Sequence, residues 1–200
     1  MKLSPQQLET FDREGYLFFP GLFKPDEIKR LADEVPGIYA EQRPENVREK
    51  TGGVVRTNFA AHMYNDLYAR LARHPRMVEP IKQLFDEDVY MHQFKINGKM
   101  AFDGDVWQWH QDYGTWMNDD QMPSARAMNV AIFLDDTNEF NGPLMFIPGS
   151  HKAGCSTPAT TPRPPAIRCG PSTTKTSETW SKKRVASKAA SSRPRGRRGQ

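Results

Sequence analysis

Two hundred residues suffice for one domain with a core of its own. No run of eighteen or more apolar residues occurs, so no membrane-spanning helix is expected, and Met1–Gln6 lacks the apolar segment of a secretory signal. The net charge of +4 is uneven: up to Gly154 there are 17 basic and 23 acidic residues, and from Cys155 onward 11 basic residues and one acid, Glu178, so the body has no nucleic-acid signature of its own.

Ser4-Pro5-Gln6-Gln7 predicts a helix start, with Ser4 as cap, Pro5 at the first helical position and Gln7 completing a capping box. Leu8 and Phe11 share a face and Gly15 is the predicted stop. Tyr16–Phe19 reads as a short buried strand. Lys24-Pro25-Asp26-Glu27 opens a second helix through Ile28, Leu31 and Val35, with Pro36-Gly37 as its end. Residues 40–60 are polar and Gly-bearing and read as a solvated loop, with a pocket-lining role for Arg56–Phe59 as the alternative. Helical patterns follow over 63–73 and 75–85, and His62 and His74 read as surface or capping histidines rather than ligands.

Asp88 to Lys99 reads as a strand, with Gln93, Lys95, Asn97 and Lys99 on one side and Tyr90, His92, Phe94 and Ile96 on the other. Taken alone, the polar side reads as a solvated face. Met100–Val106 reads as a connecting loop. Then comes Trp107-Gln108-Trp109-His110-Gln111-Asp112-Tyr113-Gly114-Thr115-Trp116. In an extended segment residues i and i+2 point the same way, so His110 and Asp112 can reach one metal ion. They are two thirds of the 2-His-1-carboxylate set that holds non-haem Fe(II). Trp107, Trp109, Tyr113 and Trp116 supply apolar surface that would shield such a site. The acidic run Asn118-Asp119-Asp120 reads as a solvated turn. Arg126 to Leu134 alternates with both faces apolar and predicts a strand inside a sheet. A turn over 135–141 leads to a last predicted strand, Leu144 to Ile147.

Trp109-His110-x-Asp112, Met122-Pro123-x-x-Arg126-Ala127 and Asn141-Gly142-Pro143-Leu144-Met145-Phe146-Ile147-Pro148-Gly149-Ser150-His151 resemble the phytanoyl-CoA dioxygenase family, in particular its ectoine-hydroxylase-like branch. The likeness runs from about Ser4 to Gly154. It implies an α+β, mainly β fold: a double-stranded β-helix, or jelly roll, behind N-terminal helices. It implies an Fe(II)- and 2-oxoglutarate-dependent dioxygenase that uses O2 to hydroxylate a small polar metabolite, an amino acid or an ectoine-like compound. The polar face of the 88–99 strand then lines the barrel. The resemblance assigns Gln93 and Trp116 to the substrate, and Lys99 with Asn97 to the co-substrate. His151 takes a structural position and is not the distal ligand.

No histidine follows His151, and neither the distal iron ligand nor the following arginine of the family pattern can be found. The resemblance therefore implies impaired activity in the chain as written. A non-catalytic cupin-like binding module and an inactive gene fragment are the alternatives.

From Cys155 the composition changes: Ser, Thr, Pro, Lys and Arg make up 31 of the last 46 residues, and Ile167, Trp180 and Val185 are the large aliphatic or aromatic side chains left. Such a segment buries too little surface to offset an ordering cost of about 1–2 kcal/mol per residue, so disorder over 155–200 is expected. The mixture is also that of a reading frame taken out of phase, and the downstream nucleotide sequence tests this. A basic tail offers a route to nucleic acid. Jelly-roll strands without their closing partners would leave an open edge that favours poor solubility or a homodimer. Both cysteines, Cys155 and Cys169, lie in this tail, so no disulfide framework supports the body and a cytoplasmic protein is expected.

Overall fold

Ser4 caps the first helix from both directions. Its hydroxyl accepts from the Gln7 amide at 3.2 Å, and the Gln7 side chain accepts from the Ser4 amide at 2.9 Å. Helix α1 (Pro5–Glu14) ends at Gly15, whose φ of 84° lets its amide reach back to the Phe11 carbonyl. These features match the reading of the sequence. The computed structural model describes residues 1–50, 53–100, 104 and 107–154. Most of the predicted loop over 100–106, and the whole predicted tail over 155–200, lie outside the described residues.

The end of α1 is also a docking point for a distant segment. The Gly149 amide donates to the Glu14 carbonyl at 2.8 Å, and His151 Nε2 donates to the Asp12 carbonyl at 3.0 Å. Lys152 pairs with the Asp12 carboxylate at 2.9 Å and holds it below the usual carboxylate range. A Cβ at Gly15 would land on the His151 ring, so this glycine serves both its backbone angle and the contact. Tyr16–Phe19, predicted as a strand, has no ladder. Tyr16 instead stacks on Phe146 at 5.2 Å, and Phe18 is half exposed.

Helix α2 (Pro25–Ala40) begins as predicted but runs through Pro36-Gly37. Pro36 removes one backbone bond, yet Leu31 and Ile38 lie two turns apart on the buried face, and the packing they gain carries the helix onward. Together with Ala61, Tyr68, Leu71 and Ile96 they form the core. Tyr68 is 1 % exposed, and its hydroxyl donates to the Leu31 carbonyl at 2.9 Å.

The stretch predicted as a solvated loop is the centre of a sheet. Strands β1 (Asn46–Arg48), β2 (Val55–Phe59) and β3 (Lys95–Asn97) pair antiparallel in the order β1-β2-β3, with Val47 opposite Thr57 and Thr57 opposite Asn97. Polarity misled because buried donors of this strand find acceptors. Asn58 donates to Asn46 Oδ1 at 2.7 Å and to the Tyr64 hydroxyl at 2.6 Å, and Thr57 donates to Asn97 Oδ1 at 3.0 Å. Val55 of the same strand goes to the buried side.

Helices α3 (Asp66–Ala72) and α4 (Pro75–Phe85) fall where the pattern put them. Asn65 caps the first, and His74 caps the second by accepting from the Arg76 amide at 3.1 Å. His62 sits in a short 3-10 turn, Ala61–Met63, against the Phe94 ring. Arg76 ties α4 to α2 through Glu27, whose carboxylate also closes the α2 cap on the Lys24 amide at 2.8 Å. The Arg76 bond, with the Lys24 amide second, pushes the Glu27 carboxyl down to about 2. A depressed carboxyl stabilises the fold above its ordinary value and loses that contribution as pH falls through its folded value. Glu27→Gln should therefore flatten the loss of thermal stability between pH 4.5 and about 2. Melting curves across that range check it, and a variant that still tracks the wild type overturns it.

Three predicted strands are corrected. The ladder within 88–99 covers only Lys95–Asn97, and the alternation holds only from Gln93 onward: Phe94 is half-buried and Ile96 buried, with Gln93, Lys95, Asn97 and Lys99 exposed, whereas Tyr90 and His92 of the predicted inner row are exposed as well. Residues 126–134 and 144–147 form no ladder among the described residues. Their apolar pattern is intact, and Ile132 and Leu134 pack on the core, but a strand also needs a neighbour to bond. Among the described residues helix outweighs strand, and the helices lie beside one three-stranded antiparallel sheet, as an α+β class requires.

Candidate active site

Helix α5 (Asp112–Asp119) supplies the first surprise, because Asp112 opens a helix rather than continuing a strand. The local geometry still does what the spacing asks. Gln111, at the N-cap, is extended with φ −112° and ψ 126°, and this one extended residue turns the side chains on either side of it the same way. His110 Nε2 stands 3.2 Å from Asp112 Oδ1. A carboxylate in the first turn of a helix also faces the positive end of the helix dipole.

Both side chains are held from behind. His110 Nδ1 donates to the Gln108 carbonyl at 2.6 Å, and Asn129 donates a short hydrogen bond to Asp112 Oδ2. With the Nδ1 proton committed, a neutral His110 would aim a lone pair at the lone pairs of Asp112. Something positive must lie between them. With protein groups alone this is a proton: the Asp112 hydrogen bond raises the His110 pKa above its ordinary 6.5, against burial and the nearby charge of Lys95. The Asp112 carboxyl is lowered, chiefly by the same bond, with Asn129 and Lys95 adding to the effect. A metal ion is the other way to fill the gap. An imidazole held by a carbonyl and a carboxylate held by an amide is the donor arrangement expected around such an ion, and a 3.2 Å separation suits two adjacent donors with bonds of about 2.1 Å to one ion. The pair fits a divalent metal. Among the described residues no group of three His, Cys, Asp or Glu forms a cluster that could hold one.

The other predicted residues distribute unevenly. Asn97 lies on β3, and its amide oxygen is taken by Thr57. Gln93 is exposed at the approach to β3. Lys99 is exposed, and its stem runs along the turn at Gly142, where a Cβ would sit 2.6 Å from Lys99 Cδ. Lys95, which the sequence left as one of a polar row, is the lysine whose charge reaches both His110 and Asp112. Its shared face with Asn97 was the available signal. Asn129 had none. Trp116 is 7 % exposed and packs against His92, ring centroids 5.3 Å apart, so it is not an open platform. Trp107 and Trp109 are 41 % and 54 % exposed, and the side chains of His110 and Asp112 are about one third exposed. The predicted aromatic shield is therefore only partly closed. His151 sits against the end of α1, where its Nε2 donates to the Asp12 carbonyl.

The family described as "Phytanoyl-CoA dioxygenase (PhyH)" matches residues 11–186. The chain belongs to this family. Among relatives of this dioxygenase family, the L-proline trans-4-hydroxylase of Streptomyces griseoviridis is 42% identical over 144 residues, 72% of this chain and 54% of its own length. The ectoine dioxygenase of Bordetella bronchiseptica is 37% identical over 165 residues, 80% of this chain and 54% of its own. EctD from S. alaskensis, solved with 2-oxoglutarate and 5-hydroxyectoine, superposes with a TM-score of 0.71 at 34% identity, covering 74% of this chain and 54% of that one. The same protein solved with bound Fe matches with a TM-score of 0.54 at 30% identity, over 57% of this chain and 42% of that one. The chain spans about half the length of the relatives it matches. Among the described residues no helix is long and apolar enough to cross a membrane.

Proposed function

We propose that this chain carries the His-x-Asp part of an Fe(II)- and 2-oxoglutarate-dependent hydroxylase acting on a small polar metabolite, an amino acid or an ectoine-like compound, on a double-stranded β-helix. One observation supports this above the others: His110 Nε2 and Asp112 Oδ1 converge to 3.2 Å with both side chains fixed from behind. The relatives point the same way, being a proline hydroxylase and ectoine dioxygenases. When bound, ferrous iron with 2-oxoglutarate and O2 supplies the oxidising power that inserts a hydroxyl at an unactivated C–H bond.

The protein's own residues do the rest. His110 and Asp112 would hold the metal. The Gln108 carbonyl keeps the His110 Nδ1 proton, so the imidazole offers Nε2. Lys99 and Asn97 receive the co-substrate carboxylate, a task suited to a flexible ammonium, and Lys95 adds positive charge beside the metal pair. Gln93 and Trp116 orient the substrate. We read 1–154 as the portion that bears this site.

A third protein ligand completes the set in this class of site, so the chain alone should bind Fe(II) weakly and release little succinate. The test is an anaerobic Fe(II) titration followed by succinate release with proline and with ectoine. Weak, saturable binding lost in His110→Ala supports the reading. Binding unaffected by His110→Ala sinks it. Ligand binding with no succinate under any metal load favours a non-catalytic module.

A further inference from the structure

Among the described residues, 107–111 carry no helix or strand, and Trp107 anchors them to the sheet through an aromatic contact. The Arg56 guanidinium lies over the Trp107 ring, with Cζ 4.1 Å from the centroid. Arg56 is fixed twice. Its carbonyl accepts from the Gly98 amide at 2.9 Å in the β2–β3 pairing, and its Nη1 donates to both oxygens of Glu49 at 3.0 and 3.2 Å. The Glu49 side chain is 9% exposed and the Arg56 side chain 22%, so the pair sits largely out of water, where the charge is felt and the plane of the guanidinium is set. A planar, weakly hydrated cation suits stacking on indole, and an ammonium does not replace it there. One residue past the stacked ring, the Gln108 carbonyl receives the His110 Nδ1 proton.

We infer that Arg56 is a positioning residue for the metal ligand His110, acting through the Trp107 ring and the Gln108 carbonyl. The role as a metal ligand rests on the function proposed above; the positioning itself does not. Glu49 orients Arg56, Arg56 holds one face of Trp107, and the peptide after Trp107 is thereby set where it takes the imidazole proton. The sheet thus fixes which nitrogen of His110 faces Asp112.

The test compares Arg56→Ala, Trp107→Leu and Trp107→Phe with Arg48→Ala, an arginine on β1 whose guanidinium bonds the Gly53 carbonyl instead. The metal-free readout is the His110 Nδ1 ring N–H proton in NMR, assigned by its loss in His110→Asn. It should be sharp in the wild type, in Trp107→Phe and in Arg48→Ala, and broadened by solvent exchange in Arg56→Ala and Trp107→Leu. Co(II) affinity should fall about 10-fold in the two broadened variants, the scale of losing a partner behind a metal ligand. Adding Arg56→Ala to Trp107→Leu should change affinity no further, because one chain of contacts is broken once. A sharp His110 proton in Trp107→Leu overturns the inference, and this variant decides even if Arg56→Ala does not fold. If Co(II) binds none of the proteins, the metal reading falls while the proton resonance still decides the positioning.

Discussion

Asp112→Asn is expected to weaken Fe(II) or Co(II) binding by more than ~100-fold with the fold left in place. Losing a group behind a ligand costs about 10–100-fold, and loss of the ligand's charge must exceed that. The substitution is nearly isosteric, and the new amide oxygen can still accept from Asn129. Asparagine is also tolerated at the start of a helix, so α5 keeps its beginning. What disappears is the negative charge and the lone pair facing His110 at 3.2 Å. Without that partner His110 also loses the main cause of its raised pKa, so it should titrate lower than in the wild type. A Co(II) absorption titration and a melting curve read the two effects separately. Affinity within tenfold of the wild type would show that the acid is not a ligand. Asn129→Ala should lie between the two, near a 10-fold loss.

Tyr68→Ala is expected to cost about 3–5 kcal/mol of stability. The ring is 1 % exposed and touches Phe94 edge-on at 5.7 Å, within a core drawn from α2, α3 and β3. Removing it leaves a cavity that three elements border, and none can close it without leaving another contact. A domain of this size holds about 5–15 kcal/mol in all, so the variant should be marginal. Tyr68→Phe isolates the hydroxyl. It keeps the packing and loses the bond to Leu31, which costs about 1 kcal/mol. Urea unfolding gives both numbers. A loss below ~1.5 kcal/mol in Tyr68→Ala would mean the site collapses freely.

What could be read from the sequence was mostly local. The box at Ser4 and Gln7, the stop at Gly15, and the His74 cap before α4 involve residues two to four apart, and the structure has them; the Asn65 cap of α3 falls inside the predicted helical stretch, so the pattern does not mark it. The His110/Asp112 convergence was also legible, since it depends on one extended residue between them. Failures came where distant groups decide. Pro36-Gly37 looks like an ending, but Ile38 has a place in the core and the helix continues to reach it. Thr57 and Asn58 look like loop residues, and only Asn46, Tyr64 and Asn97, supplied from elsewhere, make them core residues. The alternation over 126–134 is a statement about faces, whereas pairing is a statement about neighbours. Lys95 and Asn129 gained their place beside His110 and Asp112 in the same way, from the meeting of segments that no local pattern joins.

The contact between the end of α1 and the 149–153 turn has a kinetic side. Asp12 and His151 are 139 positions apart. At a synthesis rate of about 5–20 residues per second, the carbonyls of Asp12 and Glu14 wait on the order of ten seconds on the ribosome before their partners exist. Closing so long a loop is entropically slow to be rewarded, so in refolding this latch should form after the core around Tyr68. The first helix is therefore made early and fastened late, and in that interval its final turn relies on local contacts, the Gly15 cap and the Arg13–Glu14 pair.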